Sequence, residues 1–265
     1  MKYWHSRLLV AICLLLQGCG GSTASTSTDA VATFSRYRLI IVQDPTVATR
    51  DWLGLGFKHL AAQIPEDSEV VVFTVDSGMI AGTPPSVYKF DFIDNAANES
   101  LHHGLVETAF QTAAGEYEDL WDKFHNVRVA RQPRSCILTA LSQARRYLEE
   151  HNQSDKRVTD LVLASDLLEV CDEWGATTNL EQRLMSTSAL WIGDSTARFT
   201  LRDINHVYVV RALHPLINKP AMLDQVNSIW SKTLQDIGLS AKQFYIGESF
   251  SAITLTSPAA QSSQR

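Results

Sequence analysis

Three short stretches of this chain are apolar almost without interruption: Arg38-Leu-Ile-Ile-Val-Gln43, Glu69-Val-Val-Val-Phe-Thr-Val75 and Val158 to Ala164, whose core is Leu161-Val-Leu-Ala164. A strand that does not alternate with polar residues is covered on both faces, which is the habit of a parallel sheet sandwiched between helices. The segments between these runs carry helical spacing. Leu53, Phe57, Leu60, Ala61 and Ile64 fall on one helical face and are closed by Pro65 and Asp67. Leu105, Ala109, Ala113, Tyr117, Leu120, Trp121 and Phe124 form another stripe, in which Gly115 leaves open whether one helix or two is present. Ile137, Leu141, Ala144 and Leu148 mark a third helix, Leu180 to Leu190 a fourth, and Met222, Val226, Ile229, Trp230 and Ile237 a last one with Gly238 as its stop. His206 to Val210 and Gln243 to Ile246 read as further strands, and Val87 to Phe92 alternates as an edge strand or hairpin arm does. Strands that alternate with helices imply crossover connections. The expected class is therefore α/β: a three-layer α/β/α sandwich, Rossmann-like, with a mainly parallel sheet and an antiparallel edge strand.

The N-terminus reads as an address. Lys2 and Arg7 precede nine apolar residues, Leu8 to Leu16. That run is too short for a membrane-spanning helix, which needs about 20 residues, and a charged start followed by a short apolar run is the secretory pattern. The run ends Leu16-Gln17-Gly18-Cys19, which resembles the lipobox of bacterial lipoproteins. That resemblance implies cleavage before Cys19 and a lipid on its thiol; a plain signal peptide with an incidental cysteine is the alternative. Expected boundaries are 1–18 for the signal peptide, 19–34 for the lipidated Cys19 and a Gly/Ser/Thr-rich tether, 35–256 for one α/β domain, and 257–265 for a disordered tail. Gly20 after Cys19 favours the periplasmic face of the outer membrane as the destination.

Processing changes the charge. The chain stands at −6; Lys2 and Arg7 leave with the signal and no acid does, so the mature chain stands at −8. With 45% hydrophobic residues it is not a disordered chain, and its acidity argues against nucleic acid as a partner. Of four cysteines one is removed and one lipidated. Cys136 and Cys171 remain, and in an oxidising envelope they are expected to form a disulfide or to stay as two buried thiols.

In an open parallel sheet, ligands bind beyond the carboxyl ends of the strands. Three loops there carry oxygen ligands: Asp44-Pro-Thr46-Val-Ala48, Arg134-Ser135-Cys136 and Ser165-Asp166. In order and spacing this set resembles the metal-ion-dependent adhesion site of von Willebrand factor A (vWA) domains over residues 36–247. The family begins Asp-x-Ser-x-Ser after its first strand, has a Thr shortly before an Ala-Leu pair, and has an Asp after a later strand. Ser135 stands before Ala140-Leu141, and Asp166 follows its strand. The resemblance implies Mg²⁺ or Mn²⁺ held by Asp44, Thr46, Ser135 and Asp166, completed by an acidic side chain of a protein partner. Ala48 removes one hydroxyl, so the site is degenerate; each residue alone is also explained as a turn or helix cap.

The functional expectation is an envelope lipoprotein whose vWA-like domain binds another envelope protein within a larger assembly, anchored to the membrane through its N-terminal lipid. It is not expected to be an enzyme. The alternative is a metal-dependent envelope hydrolase or phosphoesterase using Asp44 and Asp166. Zinc at His102, His103 and Glu107 is disfavoured, since a metal needs more partners, and these are expected on a solvated helix face. Trp52, Trp191 and Trp230 are expected as core anchors, and Arg128, Arg131 and Arg134 as a small basic cluster near the site.

Overall fold

The computed structural model describes residues 36–45, 52–75, 84–90, 99–126, 136–168, 200–212, 220–239 and 244–255. All of them lie in a compact unit spanning Phe34–Arg265. The elements run β1 (Tyr37–Gln43), α1 (Trp52–Ala61), β2 (Ser68–Thr74), β3 (Ser86–Phe90), α2 (Glu99–Asn126), α3 (Ile137–His151), β4 (Val158–Ser165), β5 (His206–Arg211), α4 (Pro220–Asp236) and β6 (Phe244–Gly247). They form a six-stranded sheet of order β3-β2-β1-β4-β5-β6. Every neighbouring pair is parallel except β2 with β3, which is antiparallel. The mainly parallel sheet with its antiparallel edge is thus present, and the alternating Val87 segment is that edge.

Burial explains why the central strands carry no polar alternation. Ile40, Val42, Val71, Phe73, Leu161, Leu163, Val207 and Val209 pack on one face with Leu141 and Ala144 of α3 and with Val226, Trp230 and Leu234 of α4. Leu39, Ile41, Val70, Val72, Val162 and Val210 pack on the other with Leu53, Phe57 and Leu60 of α1 and Val106, Phe110 and Tyr117 of α2. Successive side chains of a strand point to opposite faces, so a strand between two helical layers needs both sets apolar. In β1 every residue from Tyr37 to Gln43 is buried.

α2 is one helix of 28 residues. Gly115 does not break it: no atom approaches the position its Cβ would take, and the buried stripe Val106, Ala109, Phe110, Ala113, Tyr117 continues past it. Glycine in a helix interior costs about 1 kcal/mol, less than burying that stripe returns. Phe110 meets Phe57 of α1 edge to face, with ring centroids 5.5 Å apart. His102 departs from expectation: it is buried, with Nε2 3.1 Å from the carbonyl of Ile64 and its ring edge-on to Phe90. It is a packing residue, while His103 and Glu107 are exposed. The stop of α4 is as expected. Gly238 adopts φ +98°, and the N–H of Leu239 donates to the carbonyl of Leu234 at 3.0 Å, the closing bond of a left-handed helix end.

The amino ends of the strands are knitted by charge. Arg38 and Glu69 are register partners on β1 and β2. Arg38 Nε donates to Glu69 Oε2 at 2.6 Å, Tyr147 Oη donates to Glu69 Oε1 at 2.7 Å, and Arg38 Nη1 donates to Asn152 Oδ1 at 2.5 Å. Tyr37 Oη donates to the buried Asp160 at 3.0 Å. Arg36 bridges Asp67 and Asp155, each at 3.1 Å. This belt fastens one end of the sheet and leaves the opposite end to carry the loops.

Candidate functional site

At the carboxyl edge the chain beyond β1, β4 and β5 stays zipped by backbone bonds. The N–H of Asp44 donates to the carbonyl of Ala164 at 3.0 Å, and that of Ala212 to the carbonyl of Ser165 at 3.0 Å. These bonds fix where the side chains at the strand ends begin. Ser165 Oγ donates to Asp44 Oδ2 at 2.8 Å and accepts from the N–H of Leu167 at 3.0 Å. Asp166 Oδ1 accepts from the N–H of Leu168 at 2.9 Å, the side-chain turn that aspartate favours. Leu167, between them, takes φ +66°, a left-handed conformation that a branched side chain adopts only when its surroundings hold it there.

Asp44, Ser165 and Asp166 are all buried. Burial, and then the neighbouring Asp44, hold the Asp166 carboxyl well above the usual carboxylate range, against the opposing pull of the backbone N–H groups of Leu168 and Asp166 itself. Tyr117 of α2 is fully buried. Burial, and then the charges of Asp44 and Asp166, push its phenol up. Gln43, the residue before Asp44, donates from Nε2 to Thr74 at 3.0 Å, while its buried Oε1 has no partner.

The turn carrying Asp166 is pinned from behind. Trp230 of α4, fully buried, donates from Nε1 to the carbonyl of Leu167 at 2.7 Å. Trp230→Phe removes that donor, leaves a buried carbonyl without it, and opens space in the core. We expect a loss of about 1–3 kcal/mol, read as a lower midpoint in equilibrium urea unfolding. A loss below about 0.5 kcal/mol would show that the carbonyl finds another donor.

Of the residues expected at the site, the structure brings together Asp44 and Asp166, with Ser165 bonded to the first. Thr46, Ser135, Cys171 and the lipidated Cys19 lie outside the described residues, as do Trp191, Arg128, Arg131 and Arg134. Cys136 is buried at the start of α3, with no side-chain cap bond. Trp230 is the expected core anchor. Tyr117 was legible only as one apolar position among several on a helical stripe, and nothing in the spacing announces that the charges of Asp44 and Asp166 bear on its phenol.

The donor set suits a hard cation. Asp44 and Asp166 are both buried and the charge of Asp44 bears on Asp166; such repulsion is what an inserted cation relieves. Among the described residues no group of three or more His, Cys, Asp and Glu could hold a metal ion. A cation here would draw on hydroxyls and water as well, which fits Mg²⁺ or Mn²⁺ and not zinc.

These features define the molecule by class: an α/β sandwich with a mainly parallel sheet, an antiparallel edge strand, and a buried acid pair at the carboxyl ends of its central strands. No protein-family model matches the chain, and no curated protein does. Among solved structures it is similar to the crystal structure of the SpRpn10 VWA domain, with 8% identity and a TM-score of 0.34, over 87% of this chain and 95% of that one. It is also similar to the manganese-loaded Plasmodium vivax TRAP protein, with 10% identity and a TM-score of 0.34, over 80% of this chain and 68% of that one.

Proposed function

We propose that the protein is a cell-envelope lipoprotein that docks another envelope protein at the carboxyl edge of its sheet, with a divalent cation as part of the contact. The observation that supports this reading most is the convergence of Asp44 and Asp166. Two buried carboxylates that repel each other destabilise a fold; a site that takes up a cation gives the pair a use. Thr46 and Ser135 would add hydroxyl ligands from their own loops. The cation would supply one thing, an attraction for a carboxylate of the partner. Asp44 and Asp166 would hold it, and Ser165 orients Asp44. Cys19 would carry the lipid that keeps the domain at the membrane, on the periplasmic face of the outer membrane. A Cys136–Cys171 disulfide would brace the loop rim; the engaged, buried state of Cys136 supports it. The role proposed is binding, not catalysis.

The test is calorimetric titration of the full chain with Mg²⁺ and with Mn²⁺, followed by capture of envelope proteins with and without chelator. Saturable binding that Asp44→Ala abolishes, together with a captured protein lost on chelation, is the expected result. No binding heat from either ion, or capture unaltered by both chelator and Asp44→Ala, would overturn the reading.

A further inference from the structure

A second polar feature lies on the same edge, one strand beyond Ser165. Arg211 ends β5 and is the register partner of Ser165. Its side chain is 7% exposed. Nη1 donates to Asn227 Oδ1 of α4 at 2.7 Å, and Nη2 donates to Glu248 Oε1 at 2.5 Å. Nε is buried and has no acceptor.

The guanidinium presents its donors as forks, and Nε with Nη2 forms the fork that takes a carboxylate two-pronged. Glu248 uses only one prong of it. A buried donor left without an acceptor destabilises the fold, so this arrangement is incomplete. Glu248 is 51% exposed and sits just past the end of β6, whose Gly247 is in register with Val210. It has solvent to swing into. Arg211 does not, because α4 holds it through Asn227.

We propose that Arg211 is the receptor for an acidic side chain of a protein partner, with Glu248 acting as a built-in stand-in that the partner displaces. An incoming aspartate or glutamate carboxylate lies across Nε and Nη2, satisfies both, and releases Glu248 to water. A chain carrying a net charge of −6 gains from a fixed cation at such an edge, because its net charge repels acidic partners. Neighbouring strands are about 4.8 Å apart, so Arg211 and Asp44, on strands flanking β4, are separated by about 10 Å across the sheet. A partner with two acidic groups at that spacing would meet both features. The inference rests on the docking role proposed above only for that second contact. Arg211 itself needs no divalent cation.

The experiment follows the Nε–Hε resonance of Arg211 by NMR in the full chain, with acetate as the probe, chelator present, and chloride as the ionic-strength control. We expect a saturable shift with acetate and none with chloride. In Glu248→Gln, where the competing charge is gone, the midpoint should fall about tenfold; in Arg211→Lys, followed at the backbone N–H of Ala212 that shows the same saturable shift in wild type, the response should vanish. A Glu248→Gln midpoint equal to wild type, or an equal response to chloride, would overturn the proposal. Because no divalent cation is present, failure here leaves the Asp44 and Asp166 reading standing, and failure of the magnesium titration leaves this one standing.

Discussion

Asp166→Asn should make the cation-free protein more stable, by about 1–3 kcal/mol at neutral pH, and should abolish stabilisation by Mg²⁺. The substitution keeps the shape and the Oδ1 that accepts from Leu168. What it removes is a buried carboxyl that burial and Asp44 hold well above its ordinary range. Replacing badly compensated buried charge by a neutral group of similar volume commonly gains this much. In a domain of this size each kcal/mol moves the melting temperature by about 2–4 °C, which a calorimetric scan resolves. The pH dependence has a definite sign. A carboxyl whose folded value is raised keeps its proton longer in the folded state, so its contribution favours folding at low pH. That contribution is lost as pH rises from the ordinary aspartate value of about 3.9 through the raised value. Wild type should therefore lose stability over that interval in chelator, and Asp166→Asn should show a flatter profile. With Mg²⁺ the order reverses, because a ligand that binds only the folded state stabilises it by mass action. A variant less stable than wild type in chelator would show that the acid pair is already compensated. This opposition between stability and site chemistry is the usual mark of a functional position.

How far the sequence reveals this molecule depends on what kind of information each feature carries. The unbroken runs around Ile40, Val71 and Val162 exposed the central parallel strands directly, because two-sided burial leaves a one-dimensional trace. The antiparallel edge was visible for the converse reason: β3 has one face half in solvent, and its residues alternate. Asp44 and Asp166 could be found because they stand at the ends of those runs. Contacts that cross elements leave no such trace. Trp230 looks like a core position on an amphipathic helix; that its indole N–H reaches the Asp166 turn depends on how α4 packs. The continuity of α2 past Gly115 was undecidable from spacing, because a glycine that interrupts a helix and one that merely weakens it look alike. His102 was misplaced on a solvated face because a helical stripe fixes which way a residue points only once its neighbours are known, here Phe90 and Ile64. Arg38 and Glu69 merely open two of the apolar runs in the sequence, and only the register of β1 on β2 makes them a buried pair.

That pair supplies the largest single loss expected in this protein. Arg38 is 1% and Glu69 2% exposed. Both Glu69 oxygens are engaged, one by Arg38 and the other by Tyr147, and the Arg38 guanidinium lies 5.6 Å from the Tyr147 ring centroid. Removing one partner leaves the other as a buried charge in a site that excludes water, so Glu69→Ala should cost about 3–5 kcal/mol, measured by equilibrium urea unfolding. Arg38→Met combined with Glu69→Leu should recover most of that loss, since nothing charged is then left behind. Burial alone would raise the Glu69 carboxyl. The hydrogen bonds from Tyr147 and Arg38, with the charges of Arg38 and Arg157, overcome it and hold the group below its ordinary value. A carboxyl lowered by folding stabilises fully above its unfolded value of about 4.3, and that stability is lost as pH falls through the lowered value. The acid limb of the stability profile should therefore be shallower in Glu69→Gln. Asp155, also lowered by Arg157 and Arg36 against its burial, adds to the same limb and persists in that variant. Arg38 and Asp44 are six residues apart along one strand, about 20 Å, so Mg²⁺ affinity should be unaltered in any Glu69 variant that still folds. A Glu69→Ala chain that unfolds within about 1 kcal/mol of wild type would mean that water reaches the pair, and that the apolar layers of the sheet carry the amino edge without it.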